Sequence, residues 1–191
     1  MSATTSPRKP ELLAPAGGMP QLDAALHAGA DAIYFGLDQG FNARVRSIGF
    51  RREQLPEVMH KLHAQWVRGF LTLNTLIFDH ELAQLESYIR YAAQSGVDAL
   101  IVQDIGVAQL AQATAPQLPL HASTQMSITD SEGAHWAHQL GMRRVVLGRE
   151  LSINEIAEIS RSVPIETEVF VHGALCVSYS GQCFSSEAWG G

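Results

Sequence analysis

Cys176 and Cys183 are the only two cysteines of the chain, and they close the run Glu168-Val-Phe-Val-His-Gly-Ala-Leu-Cys176-Val-Ser-Tyr-Ser-Gly-Gln-Cys183. Six residues separate them. That gap is too long for the C-x-x-C of a redox dithiol or of the common zinc knuckles. Iron–sulfur ligation tolerates it, but a cluster normally takes four thiolates. Two buried or rim thiols without a ligand are the plain alternative. Residues 1–10 carry no apolar stretch of the signal-peptide type, so the expected location is cytoplasmic and reducing. There, paired cysteines bind metal or do redox work more often than they form a structural disulfide.

A second concentration of chemistry is the stretch Gly40-Phe-Asn-Ala-Arg-Val-Arg-Ser-Ile-Gly-Phe-Arg-Arg52, four arginines in nine positions of an otherwise acidic chain. Guanidinium groups bind phosphate and carboxylate in a bidentate way, which makes a small anionic substrate, met by Arg44 among others, a fair expectation against a merely solvated loop. His60/His63 and His135/His138 have i, i+3 spacing but fall within expected outer helices, where packing or solvation is their expected role. Neither H-E-x-x-H nor G-x-S-x-G occurs, so no hydrolase motif is present.

These residues must be positioned by a regular series of elements. Short apolar runs recur at 12–15, 32–37, 70–73, 99–102, 119–122, 145–147 and 169–171, and read as seven strands. Between them lie helical spacings such as Leu55/Val58/Met59/Leu62 and Ile153/Ile156/Ile159. Gly29, Gly96 and Gly141 each stand at a helix end just before a strand, where glycine accepts the left-handed cap. Repeated βα units with continuous apolar strands imply a parallel sheet covered by helices. Ala16-Gly-Gly-Met-Pro20 fits neither G-x-G-x-x-G nor a P-loop, which favours a (β/α)8 barrel of the TIM type over an open dinucleotide-binding sheet. The expected organisation is a disordered lead over 1–10 and an incomplete barrel over 11–191, one unit short of closure.

In a barrel the active site gathers at the C-terminal ends of the strands. Those ends carry Asn74-Thr75, Gln103-Asp104, the run from His121 to Gln125, Arg149-Glu150 and His172-Gly173. Strand parity places Glu168, Phe170 and His172 on one face, pointing into the barrel, with Val169 and Val171 packing under the helices. His121, Ser123 and Gln125 share a side by the same argument. The candidate catalytic residues are therefore His121, Glu150, Glu168 and His172. Asn74, Gln103, Gln125, Arg149 and Arg44 are the candidate substrate-binding set.

The motif Glu168-x-Phe170-x-x-Gly173-Ala174-Leu175-Cys176-x₄-Gly181-x-Cys183 resembles the signature of the collagenase-like peptidase family, peptidase family thirty-two of the unknown-type class. Leu12-Leu-Ala-Pro-Ala-Gly17, Ala30-Asp-Ala-Ile-Tyr-Phe-Gly36, Val102-Gln-Asp104, His121-Ala-Ser-Thr-Gln125 and Arg149-Glu150 resemble that family's successive strand ends. Ser185 departs from the aliphatic residue usual two positions after the second cysteine. The resemblance implies dioxygen-independent hydroxylation with a 4Fe-4S cluster, to which Cys176 and Cys183 would give two ligands. It also implies prephenate as co-substrate and RNA as partner, and the wording around Phe41-Asn42-Ala43-Arg44 is most like the branch making 5-hydroxycytidine in large-subunit ribosomal RNA. Sister branches hydroxylate the transfer RNA wobble uridine or act in ubiquinone synthesis, and the family name points to peptidase activity. Family members continue well past this length, so the chain is expected to be a fragment, inactive alone.

Composition narrows the classes. At 191 residues and 46% hydrophobic content the chain can bury a sizeable core. A formal net charge of -6 argues against holding nucleic acid by bulk electrostatics. No apolar run approaches the roughly 18 residues of a membrane-spanning helix.

Overall fold

A computed structural model describes residues 9–38, 41–42, 49–173 and 178–182. Residues 1–8 of the expected lead, Arg44, Cys176 and Cys183 lie outside the described residues. Among the described residues, seven parallel strands alternate with six α-helices: β1 (Leu13–Pro15), α1 (Met19–His27), β2 (Ala32–Phe35), α2 (Leu55–His63), β3 (Arg68–Leu73), α3 (Leu82–Gln94), β4 (Ala99–Val102), α4 (Ile105–Thr114), β5 (Leu120–Ala122), α5 (Ser131–Gln139), β6 (Arg144–Val146), α6 (Ile153–Ser162) and β7 (Glu166–Glu168). The sheet order is β1 through β7 without crossover. This is the curled sheet of a TIM-type barrel, with six βα units and a seventh strand among the described residues.

The repeated junctions have one physical cause. Gly29, Gly96 and Gly141 adopt φ of 78, 81 and 82°. At each, two backbone bonds wrap the helix end, as in Gly96 N–H to Ala93 O and Val97 N–H to Ala92 O. That is the Schellman arrangement, which needs a left-handed residue. The aspartates two residues later reach the neighbouring strand: Asp31 accepts from Leu12 N at 2.8 Å and Asp98 from Gly69 N at 2.7 Å. Asp98 also bonds His63 Nε2 at 3.0 Å, which gives that histidine a packing role on an outer helix.

The same cap closes α2 without a glycine. Trp66 holds φ 61°, its amide bonds His63 O, and Val67 N–H reaches Leu62 O. Its side chain is 94% exposed, so no burial offsets the strain. A left-handed non-glycine residue costs about 1–2 kcal/mol, partly balanced by the larger unfolded-state entropy of glycine. Trp66→Gly is therefore expected to raise stability by about 0.5–1 kcal/mol in urea denaturation. An unchanged or lower midpoint would show that the strain is relieved elsewhere.

Two apolar layers hold the sheet. The larger lies between strands and helices and contains Leu22, Leu55, Leu62, Leu71, Ile89 and Leu100, all fully buried. The smaller fills the lumen with Ala32, Phe70, Ala99 and Ile101. Below it the lumen is ionic. Arg144 on β6 bonds Glu11, just before β1, at 2.8 Å, Glu166 at 2.9 Å and Glu168 at 3.1 Å. Arg68 on β3 also pairs with Glu11, and Arg143 with Glu166. An arginine of β6 that touches Glu11, two residues before β1, shows how far the sheet has curled, since these strands are not neighbours in it.

The last strand differs from the sequence expectation. β7 comprises Glu166–Glu168, not 169–171, and pairs Arg144 with Glu166 and Val146 with Glu168. Val169, Phe170 and Val171 are 38, 48 and 87% exposed. The β-branched run suggested the strand, but the ion pairs of Arg144 with both glutamates set the register. Parity within that register turns Glu166 and Glu168 inward. His172 lies four residues beyond the strand and is exposed, so the strand parity expected to turn it inward does not extend to it.

Candidate functional site at the C-terminal mouth

Parallel neighbours deliver their chain ends to one side of a sheet. Asn74 follows β3, Gln103 follows β4, Ser123 follows β5, and Arg149 and Glu150 follow β6, so these five residues rim one mouth. Asn74, Gln103 and Gln125 are half-buried there. Asp104 has a structural task, since its carboxylate caps α4 by accepting from Gly106 N at 2.6 Å and Val107 N at 3.3 Å. It also takes Ile77 N at 3.3 Å, tying the loop after β3 to the loop after β4. Ser123 is buried and accepts from Gln125 N at 3.2 Å, which bends the chain after β5 across the rim.

His121 lies one layer deeper than expected. It pairs in register with Ile101 and Arg144, and its ring meets Phe70 edge-on with centroids 4.8 Å apart. Only 3% of its surface is exposed, and Nδ1 has no hydrogen-bond partner. Burial, followed by the positive charge of Arg144, pushes the imidazole down to about 3. A neutral ring with a vacant nitrogen can share a proton with a polar group in the lumen but carries no charge at neutral pH. Glu168 is also lumenal, and burial raises its carboxyl above the usual range despite Arg144 beside it. Arg144 is the residue that sequence reasoning missed. Its signal was a charge opening an apolar strand, at the parity that faces the lumen.

The arginine-rich stretch is divided. Arg52 lies over the Tyr91 ring at 4.7 Å and accepts the Tyr91 hydroxyl on its backbone carbonyl at 3.0 Å, so it serves packing on α3. Asn42 is buried and donates to Leu37 O at 2.8 Å, and a Cβ at Gly36 would run into its amide. The start of this loop is thus pinned back onto the end of β2.

Segment 178–182, between the two cysteines in sequence, packs onto the rim. Ser180 is 4% exposed, and its N–H donates to Glu150 Oε1 at 2.7 Å. Its hydroxyl accepts from Arg149 N at 3.2 Å and Arg149 Nε at 3.3 Å, and its carbonyl accepts from Ser127 Oγ at 2.6 Å. Arg149 Nη2 reaches Ser178 O at 3.4 Å. Desolvation opposes the Glu150 charge, but the bonds from Ser180 and the nearby Arg149 outweigh it and hold the carboxyl below the usual range. Arg149 and Glu150, expected to touch substrate, are therefore engaged with this segment. Ser127, Ser180 and Gly181 carried no sequence signal apart from the glycine within the cysteine motif.

Among the described residues no group of three or more His, Cys, Asp and Glu is arranged to hold a metal ion. No helix among them is long and apolar enough to cross a membrane.

The family model described as peptidase family U32 matches residues 17–191. The chain is 40% identical over 185 residues to the 23S rRNA 5-hydroxycytidine synthase of Escherichia coli, covering 97% of this chain and 28% of that protein. It is 40% identical over 182 residues to tRNA hydroxylation protein P of the same organism, covering 93% of this chain and 39% of that one. The chain thus spans well under half the length of these relatives. A U32 peptidase of known structure superposes with a TM-score of 0.73 at 16% identity, over 88% of this chain and 71% of its own.

Proposed function

The chain belongs to peptidase family U32, and on that premise we propose that its barrel serves a dioxygen-independent RNA hydroxylase, with cytidine of large-subunit ribosomal RNA as the favoured target. The observation that carries this reading is the 40% identity, over nearly the whole chain, to a relative named for 5-hydroxycytidine synthesis in 23S rRNA. The relative named for tRNA hydroxylation supports the same class of reaction on another RNA. An RNA substrate supports a cytoplasmic location for the work.

Cys176 and Cys183 suit the role of thiolate donors to a 4Fe-4S cluster. Residues 178–182, which lie between them in sequence, are held against the barrel mouth, on the side where TIM-type sites lie. Such a cluster, when bound, supplies one-electron redox chemistry. Two thiolates are half of its usual ligand set, and this chain spans 28–39% of the relatives' length. A small anionic co-substrate such as prephenate would meet the amides of Asn74, Gln103 and Gln125 at the same mouth, and Arg44 is the guanidinium that the sequence offers for its charge. His121 and Glu168, below it, are the groups able to hold or pass a proton.

The test uses the full reading frame that contains this chain, purified without oxygen. Cys176→Ala or Cys183→Ala is expected to remove a brown iron–sulfur chromophore, measured by absorption and by iron and sulfide content, whereas His63→Ala on the outer helix leaves it intact. In a host lacking the gene, mass spectrometry of ribosomal RNA should show cytidine without the added oxygen, restored by the wild-type gene. Unchanged hydroxycytidine and transfer RNA hydroxylation in that host, together with gelatin cleavage by the purified protein, would replace this reading with the peptidase one.

A further inference from the structure

We infer that Arg149 and Glu150 are positioning residues: with Ser127 they clamp segment 178–182 to the rim and so set where the chain presents Cys176 and Cys183. Two loops, those after β5 and β6, converge on one residue. Every hydrogen-bonding atom of Ser180 is engaged, its amide by Glu150, its hydroxyl by Arg149 and its carbonyl by Ser127. Gln182 N–H then closes a turn onto Tyr179 O at 3.1 Å. At the next position after Ser180 the fit is steric as well. Gly181 holds φ 73°, and a Cβ there would run into Ser127 Oγ and the Gln125 carbonyl. Only glycine permits both the left-handed turn and the close approach.

The consequence for the cysteines follows from covalent reach. Cys183 is one residue beyond Gln182 and Cys176 two residues before Ser178, and consecutive Cα atoms are about 3.8 Å apart. Both thiol-bearing residues are thus tethered closely to a segment whose backbone the barrel rim grips on both sides. An anchored segment loses little freedom when its flanking thiolates are gathered by one ligand, whereas a free loop would have to be ordered at that moment. The Arg149 guanidinium, bonded to Ser178 and Ser180, and the Glu150 carboxylate, bonded to the Ser180 amide, act on the chemistry through this segment. The functional meaning of the clamp rests on the cluster reading, but its geometry does not.

The test separates the two. In the metal-free protein, Glu150→Ala, which removes the acceptor of the Ser180 amide, and Gly181→Ala, which drives a Cβ into Ser127 Oγ and the Gln125 carbonyl, are each expected to speed amide hydrogen exchange in 178–182 about fivefold to tenfold. Reaction of Cys176 and Cys183 with a chromogenic disulfide reagent should accelerate to a similar degree. Glu150→Gln keeps an oxygen acceptor for the Ser180 amide and should restore both rates to within about threefold of wild type, with the thermal midpoint unchanged throughout. A general loss of structure would raise exchange in every peptide and would not be rescued by glutamine. If Glu150→Ala leaves exchange and thiol rates at wild-type values, or if glutamine fails to restore them, the clamp is wrong. If the rates change as expected but the cysteine variants keep the chromophore, the clamp stands and the cluster reading falls.

Discussion

Arg144→Met is expected to destabilise the folded chain by about 3–5 kcal/mol, the range for removing one partner from a buried ion pair. Arg144 is 6% exposed and bonds three carboxylates, those of Glu11, Glu166 and Glu168. The lumen floor sets these three against Arg144, Arg68 and Arg143, so deleting the central guanidinium leaves the mostly buried Glu168 and Glu11 short of positive charge, while the half-exposed Glu166 keeps contact with water. Methionine keeps the bulk over Phe70, where the guanidinium now lies 5.4 Å from the ring centroid. Urea denaturation of the variant and of the triple change R144M/E166Q/E168Q would measure the effect. The triple change should recover a large part of the loss, because it removes the orphaned charges with their partner. If the single variant falls by less than about 1 kcal/mol, the network is solvated in solution and does not hold the ends of the sheet together.

The second large effect is a pH dependence. The His121 imidazole takes up its proton near 3 in the folded chain, against 6.5 when exposed. Above pH 6.5 the residue is neutral in both states and contributes nothing to the slope. As pH falls below 6.5 the unfolded chain binds a proton that the folded chain does not, and stability drops by about 1.4 kcal/mol per unit until the folded value is reached. Between pH 6.5 and pH 5 the wild type should lose about 2 kcal/mol relative to His121→Leu, which cannot titrate and also removes the unpartnered Nδ1. Glu168, whose carboxyl is raised, acts in the opposite direction in both proteins and cancels in the comparison. Parallel pH profiles for the two proteins would mean that water or a lumenal ligand already solvates His121.

Some of the site was legible in residue types and periods, and the reasons are local. The three junction glycines announced their helix ends because only glycine accepts a left-handed φ without strain. Trp66 takes the same conformation without that signature, and no pattern of residue types could have shown it. The polar strand ends at Asn74, Gln103 and Ser123 were readable because every parallel strand exits on the same side. The position of β7 was not. A three-residue strand has too little periodicity to locate, and the choice between 166–168 and 169–171 depends on a partner, Arg144, in another strand.

What the sequence by itself determined is the order of βα units, the family through its strand-end and cysteine motifs, and the identity of the two thiols between which the chemistry is proposed. These depend on residue types at short separations, where periodicity, glycine φ and motif spacing act directly. Only the tertiary structure decided what the charged residues do. Arg149 and Glu150 have the same appearance in sequence whether they face substrate or grip a loop, and the grip depends on Ser180, some thirty residues away. His121 reads equally as a rim residue or a lumenal one, and its loss of basicity comes from burial against Phe70 and Arg144. Burial and charge pairing are sums over neighbours distant along the chain, which is why the fold had to be known before the roles of these side chains could be assigned.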